Sequence, residues 1–427
     1  MLADHTLLLS SLRKELKKKH RDQGMLAILI IGLEGVTKLD GVMGYQAGDQ
    51  LQQQVTERLK SALRETDIFG FIGREELGCI LPSLTSEGHA TLAAYKILRI
   101  LEQSFMIEDR QVVVNVSLGM AYYPEHGNDA DILMKHANVA MHNAKRNKTG
   151  LSIFSIEHDL FSQLQLEIQA GLNGAIQDNE LFLHYQPQLN LHTRQIDAAE
   201  TLLRWNLPNR GAIPPADILA VAENTGMISL LTGWVLNTAL RQQANFNRAG
   251  LDLNISVNFS ARNLMEPELP EFVDQTLRTW NVPPDKITVE ITESAMIEDE
   301  KRALNTLLKL KDIGVKLSID DFGTGYASMT YLRKLPVDEI KVDVSFVRSM
   351  LTVKGDERIV RSIIALGHNF DLEVVAEGVE DRQTLERLVD LGCDRVQGYY
   401  LGSPVPEEEF IKHVSLYNFN KPSKGVA

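Results

Sequence analysis

The chain has 427 residues, 44% apolar and 24% charged, which is enough for two domains with full cores. A net charge of -13 argues against a general affinity for nucleic acid polymers or anionic lipid. It leaves room for a small phosphorylated ligand, because a bound cation can reverse the local field. No apolar run approaches the ~20 residues of a membrane span and no signal-peptide pattern opens the chain. A cytoplasmic protein, or the cytoplasmic part of a larger one, is the expectation. Cys79 and Cys393 stand in different halves without metal-ligand spacing and read as buried free thiols.

Residues 6–22 read as an amphipathic helix, with Leu7, Leu8, Leu12 and Leu16 inward and the basic run Arg13 to Arg21 outward. Gly24 stops it, and Met25 to Leu33 is a nearly continuous apolar strand. A helix over 45–65 follows, then two short strands within Ile68 to Leu81 around the charged turn Gly73-Arg-Glu-Glu76. Helix 87–104, strand 111–121 and helix 129–145 complete an expected α+β sandwich with an antiparallel sheet. From about Leu160 onward strands and helices alternate. Strand candidates are 181–189, 197–203, 254–259, 286–292, 315–320, 339–344, 373–377 and 395–400, and helical patterns such as 301–312, closed by Gly314, lie between them. Eight strands in roughly 250 residues is the size of a (β/α)8 barrel. The expected domains are 1–155 and 156–427.

The stretch Val315-Lys-Leu-Ser-Ile-Asp-Asp-Phe-Gly-Thr-Gly-Tyr326 ends an apolar strand in two adjacent acids. Neighbours on a regular strand face opposite ways, so for both to serve one site the strand should finish here, with Gly323 and Gly325 freeing the turn. Taken alone the segment is either a metal site or a solvated Asp-Gly turn. The wider pattern decides. Glu200, Asn258, Glu290, Asp320 with Asp321, Lys341, Glu377 and Gln397 each lie within or at the end of a different strand candidate, and in a closed barrel those ends form one rim. Five carboxylates on one rim would repel without cations, and hard oxygen ligands in this number suit two Mg²⁺ or Mn²⁺ ions.

Two family resemblances follow. Gly44-Tyr-Gln-Ala-Gly-Asp49, Ser117-Leu-Gly-Met-Ala-Tyr-Tyr-Pro124 and Ala140-Met-His-Asn-Ala-Lys145 resemble the GGDEF domain of diguanylate cyclases in order and spacing. The signature would fall on Gly73-Arg-Glu-Glu-Leu77, where Arg74 replaces a glycine that lets the backbone approach nucleotide, and Gly32 replaces a metal-binding aspartate. The resemblance therefore implies a retained fold with cyclase chemistry lost, leaving GTP or cyclic di-GMP binding on this domain open. Arg64-Glu-Thr-Asp67 resembles that family's inhibitory product site; a plain ion pair at a helix end is the preferred reading of Arg64 and Asp67.

In the second half, Glu200-Thr-Leu-Leu-Arg-Trp205 resembles the signature of EAL-type cyclic-di-GMP phosphodiesterases, with Thr201 where alanine is usual. Tyr185-Gln-Pro187, Val257-Asn-Phe-Ser260, Val289-Glu-Ile-Thr-Glu293, Asp320-Asp-Phe-Gly-Thr-Gly325, Ile340-Lys-Val-Asp343, Ala376-Glu-Gly-Val-Glu380 and Gln397-Gly-Tyr399 follow in family order. The resemblance implies a barrel variant with an antiparallel first strand. It implies Glu200, Asn258, Glu290 and Asp320 on one metal, and Asp321 and Glu377 on a second, with Asp320 shared. Lys341 and Glu377 would carry catalysis, while Gln186, Leu203, Arg204 and Gln397 would bind substrate. Glu380 would anchor the loop after Asp321, and barrels would pair as homodimers. The expected activity is metal-dependent hydrolysis of cyclic di-GMP to the linear dinucleotide pGpG. The competing expectation is a catalytically silent cyclic di-GMP receptor, which the complete ligand set disfavours.

Overall fold

The computed structural model describes residues 5–22, 24–208, 210–293, 299–324 and 332–419, and the chain divides into two compact units, Met1–Leu166 and Glu167–Ala427. In the first unit α1 (His5–Asp22), β1 (Met25–Glu34), α2 (Val36–Met43), α3 (Tyr45–Ala62), β2 (Ile68–Phe71), β3 (Glu76–Leu84) and α4 (Glu87–Leu101) come in order. They are followed by β4 (Phe105–Ile107), β5 (Arg110–Val112), β6 (Asn115–Tyr123), α5 (Ala130–Asn147) and β7 (Leu151–Ile153). The main sheet has the order β2-β3-β1-β6-β7, antiparallel except for the parallel pair β6–β7.

The central strand β1 reads as an unbroken apolar run because helices cover both faces of the sheet. Ala27, Leu29, Ile31 and Leu33 join a core with α2, α3 and α4, whereas Leu26, Ile28 and Ile30 pack with Leu8, Leu12 and Leu16 of α1 and Ala137 and Met141 of α5. Leu7, expected inward, is 45% exposed, since the i, i+4 stripe through Leu8, Leu12 and Leu16 already faces the sheet. The helix expected over 45–65 is preceded by α2, from which it is separated by Gly44 at φ 88. The strand expected over 111–121 begins only at Asn115. Residues 105–112 instead form the β4–β5 hairpin, whose turn residues Glu108 and Asp109 both have positive φ. Such a turn normally announces itself with Asn-Gly, and Glu-Asp does not.

Helix α6 (Ile156–Gln177) begins where the second domain was expected and runs across the division after Leu166. Then come β8 (Leu181–Asn190), β9 (Ile196–Leu207), β10 (Gly211–Ala212), α7 (Pro215–Thr225), α8 (Ile228–Arg248), β11 (Asn254–Phe259), α9 (Ala261–Leu264) and α10 (Leu269–Trp280). The rest comprises β12 (Ile287–Thr292), α11 (Glu300–Ile313), β13 (Lys316–Phe322), β14 (Glu339–Val342), α12 (Val344–Ser349), α13 (Lys354–Asn369), β15 (Glu373–Ala376), α14 (Arg382–Asp390), β16 (Arg395–Gln397) and α15 (Glu407–Phe419).

Strands β9, β11, β12, β13, β14, β15, β16 and β8 follow one another round a closed sheet, with β8 pairing back onto β9 and the short β10 lying on β9 outside the ring. This is the expected eight-stranded, TIM-like barrel. β8 runs antiparallel to both neighbours, and the other neighbouring pairs of the ring are parallel. The parallel strands are covered on both faces, which is why Ile255, Val257, Val289, Leu317, Ile319, Ile340 and Val374 are fully buried. Polar side chains that interrupt such runs stand out. Cys79 and Cys393 are buried and free. Among the described residues no helix is long and apolar enough to cross a membrane.

Candidate active site

The register of the barrel brings the polar interruptions together. Glu200 lies beside Ser256 across β9 and β11, and Asn258 beside Glu290 across β11 and β12. Lys341 on β14 is fully buried and is the hub: its Nζ is 2.7 Å from Glu377, 2.9 Å from Glu290, 3.2 Å from Asp320 and 3.5 Å from Glu200. Glu200 is held from the other side. Asn258 Nδ2 donates to its Oε1 at 2.9 Å and Gln397 Nε2 to its Oε2 at 2.6 Å. Gln397 in turn donates to Gln186 Oε1 at 3.0 Å and accepts from Gln188 Nε2 at 2.9 Å. Gln188 escaped the sequence reading, yet its position two residues after Gln186 on one strand puts both on the same face.

Four acids round one lysine leave an excess of negative charge. Burial alone would raise Glu200, but the Lys341 charge and the bonds from Gln397 and Asn258 hold it below the usual carboxylate range. Burial, with Glu200 and Asp320 nearby, pushes Glu290 well up. Burial and the charges of Asp320 and Glu200 take Glu377 to about 8. Asp321 rises to about 6 through burial, then through Asp320 and Asp343. Burial would lower Lys341, and the surrounding carboxylates more than reverse that.

A hard divalent cation suits this donor set. Asp320, Asp321 and Glu377 each offer an oxygen within 4.8 Å of the others. Glu290 keeps a buried Oε1 with no hydrogen-bond partner among the described residues. The adjacent acids reach one point differently from the expectation. β13 does not finish at Asp320 but continues to Phe322, with its pairing to β14 shifting between Ile319 and Phe322. Asp321 itself takes the left-handed conformation at φ 56, which aspartate tolerates, and this turns it toward its neighbour's side. Gly323 also has positive φ, whereas Gly325 and Tyr326 lie outside the described residues.

Two side chains depart from their expected places. The backbone N–H of Gly323 donates to Glu293 Oε2 at 3.3 Å, so the described part of the loop after Asp321 is tied to Glu293. Glu380, expected as that tie, is paired with Arg348 at 2.5 Å. It leaves the rim from the segment after β15, whereas Glu293 follows β12, the neighbour of β13 in the sheet. A recess of about 240 Å³ opens onto Glu200, Asp320 and Glu377 and is also lined by Gln186, Gln397, Arg348, Glu380 and Tyr399. Leu203 and Arg204 are not in that lining. Leu203 is buried, one residue out of step with Glu200 on β9, and Arg204 Nη1 donates to the Leu203 carbonyl at 2.8 Å. Thr201 is buried and donates to the Ser256 carbonyl at 2.5 Å, tying β9 to β11 beside Glu200.

In the first unit the Asp67 carboxylate accepts the Arg64 backbone N–H at 2.8 Å, a turn-closing bond rather than an ion pair of side chains. Arg74 folds back from the β2–β3 turn. Its Nε and Nη2 are each 2.8 Å from the two oxygens of Asp40, its Nη1 is 2.6 Å from Asp49, and Nη2 also donates to the Tyr45 carbonyl at 3.1 Å. Gly48 makes room for this clamp, because a Cβ there would stand 2.1 Å from Asp40 Oδ1 and 2.6 Å from Arg74 Nη2.

Comparison with known proteins fits this geometry. The EAL domain family matches residues 169–404, and the family of the diguanylate cyclase GGDEF domain matches residues 1–150. The bifunctional diguanylate cyclase/cyclic di-GMP phosphodiesterase MucR of Pseudomonas aeruginosa is 34% identical over 97% of this chain and 61% of its own length. The cyclic di-GMP phosphodiesterase NbdA of the same organism is 33% identical over 92% of this chain and 51% of its own length. The chain thus spans roughly half to three-fifths of the curated relatives it matches. The solved PaMucR phosphodiesterase in complex with c-di-GMP is 39% identical and superposes with a TM-score of 0.55, covering 57% of this chain and 99% of that one. The chain belongs to the EAL domain family, with a GGDEF domain ahead of the EAL barrel.

Proposed function

We infer that the barrel hydrolyses one phosphodiester bond of cyclic di-GMP to give linear pGpG, and that the first domain makes no cyclic di-GMP. One observation carries the reading: four acids meet on the buried Lys341, and two of them that line an open recess, Asp320 and Glu377, form a three-oxygen cluster with Asp321. Glu200, Asn258, Glu290 and Asp320 would hold one Mg²⁺ or Mn²⁺, and Asp321 and Glu377 a second, with Asp320 shared. When bound, two such ions polarise a phosphoryl oxygen and make a water acidic enough to attack. Lys341 keeps the acids gathered and offers an N–H to charge developing on the phosphoryl group. Gln397, fixed between Gln186, Gln188 and Glu200, orients the substrate at the mouth. Arg204 is suited by its planar fork to a phosphate oxygen once it leaves the Leu203 carbonyl. The names of MucR and NbdA, and the c-di-GMP complex of the PaMucR phosphodiesterase, support the substrate. A cytoplasmic setting and pairing through the barrel belong to the same reading.

The test is incubation of the pure chain with cyclic di-GMP and Mn²⁺ while pGpG is followed. Turnover should stop in chelator, and Ca²⁺, with its looser coordination, should support little of it. Glu200→Gln should lower the rate by about 10²-fold or more, the scale of losing one preorganised electrostatic group. Equal rates in chelator and in Mn²⁺ would remove the metal mechanism, and binding without any hydrolysis would leave the silent receptor.

A further inference from the structure

A second recess, of about 360 Å³, lies where β8, α8 and the start of α15 meet. Leu181, Leu183 and Tyr185 present one face of β8 to it, since alternate residues of a strand share a side. Trp234, Thr238 and Arg241 line it from α8 at the i, i+4, i+7 spacing of one helix face, and Glu407 closes it from α15. Gln186, the next residue of β8, belongs to the opposite face and accepts from Gln397 inside the barrel. This recess is therefore separate from the acid floor. Three of its polar groups invite a ligand. Tyr185 is 1% exposed, yet its hydroxyl has no hydrogen-bond partner among the described residues. Burial, and then the Glu407 charge, hold that phenol above its usual range, with Arg241 acting the other way. It is thus a neutral donor in the field of both charged groups. Arg241 is exposed and has no hydrogen-bond or ion-pair partner among the described residues. Glu407 accepts from Asn245 Nδ2 at 3.0 Å and has no ion-pair partner among them. We propose that this recess binds a free α-amino acid with an apolar side chain.

The charges select the ligand. Arg241 and Glu407 line one small recess without pairing with each other, so a molecule complementary to both carries a charge of each sign. A lone carboxylate would meet Arg241 and be repelled by Glu407, and a lone amine would meet the reverse. In an α-amino acid the carboxylate takes the guanidinium fork and the ammonium turns to Glu407. A remaining lone pair of the carboxylate accepts the Tyr185 hydroxyl, which removes the penalty of a buried donor left unmet. The side chain packs on Leu181, Leu183 and Trp234. Small-molecule sites run from about 300 to 1,000 Å³, and a recess at the low end of that range suits a single amino acid.

The experiment is calorimetry on the full chain at neutral pH in chelator, which keeps metal on the acid floor out of the measurement. The probes are L-leucine and L-phenylalanine, with isocaproate and isoamylamine as leucine lacking its amino group or its carboxylate. At least one amino acid should bind, and Arg241→Ala and Glu407→Gln should each weaken it by about tenfold or more, the scale of one charge-assisted hydrogen bond. Arg241→Lys and Glu407→Asp keep the charges and should recover part of that loss, which a merely disturbed fold would not. Tyr185→Phe removes only the hydroxyl and should weaken binding by about 2- to 10-fold. It should not lower the melting temperature of the unliganded chain, because the group removed has no partner there. Each leucine analogue should bind about tenfold or more weakly than leucine. Absence of binding by both amino acids at millimolar concentration overturns the proposal. Either analogue binding as tightly as leucine overturns it too, since the recess would then not read both charges. Full affinity in both Arg241→Ala and Glu407→Gln would place the amino acid elsewhere and overturn it as well.

Discussion

Lys341 brings four carboxylates to within 3.5 Å of one buried nitrogen, and the charge balance of the barrel rests on it. Removing one member of a buried ion cluster leaves uncompensated charge and costs about 3–5 kcal/mol. Lys341→Met keeps much of the stem and removes the charge, so in chelator the variant should lose roughly that much stability to urea. Mn²⁺ should restore most of the loss, because a cation takes over the neutralising role. A urea midpoint indifferent to Mn²⁺ would argue against a metal on these acids. The floor residues were legible because Glu200, Glu290, Asp320, Lys341 and Glu377 are ionisable groups set in apolar strand runs. The pairings beyond the floor were not. Glu293 and Glu380 both trail a floor acid by three residues, and only the order of strands decides which one reaches the loop after Asp321.

At the scale of elements, the eight strands were readable from their apolar runs, and their order round the barrel places the rim. The antiparallel entry of β8 was not readable from periodicity, because strands of either sense alternate their side chains in the same way. β13 shows how a single backbone angle stands in for a strand end: Asp321 at φ 56 turns two consecutive acids to one side. That arrangement holds only while the following segment is fixed, and Glu293 is the fixing group the structure provides. Glu293→Ala should therefore raise the Mn²⁺ concentration needed for half-maximal turnover by about tenfold or more, the usual scale for a group that orients metal ligands. Cyclic di-GMP binding in Ca²⁺ should change little. Glu380→Ala should leave the Mn²⁺ requirement where it was. If the two variants exchange these behaviours, the loop is held from Glu380 and not from Glu293.

For the molecule as a whole, the two family domains differ in what their sites retain. The barrel keeps its acids, whereas the first domain has Gly32, two residues before the end of its central strand, and Arg74 in the turn where the resemblance places nucleotide. The structure gives the second departure a physical content, since Arg74 spends its guanidinium on Asp40, Asp49 and the Tyr45 carbonyl. A nucleotide approaching that turn must displace a bidentate ion pair as well as bind. With the barrel silenced by Glu200→Gln, GTP and Mg²⁺ should yield no cyclic di-GMP. Arg74→Gly alone should not change this, because Gly32 still supplies no carboxylate, and it should lower the melting temperature by leaving Asp40 without its cation. Gly32→Asp needs a small shift of the buried Met141 side chain, whose Sδ would stand 3.0 Å from an added Cβ. Cyclisation is therefore expected to return, if at all, only when Gly32→Asp and Arg74→Gly are combined. Cyclic di-GMP formed by the Glu200→Gln chain with Gly32 and Arg74 in place would show that the first domain is an active cyclase.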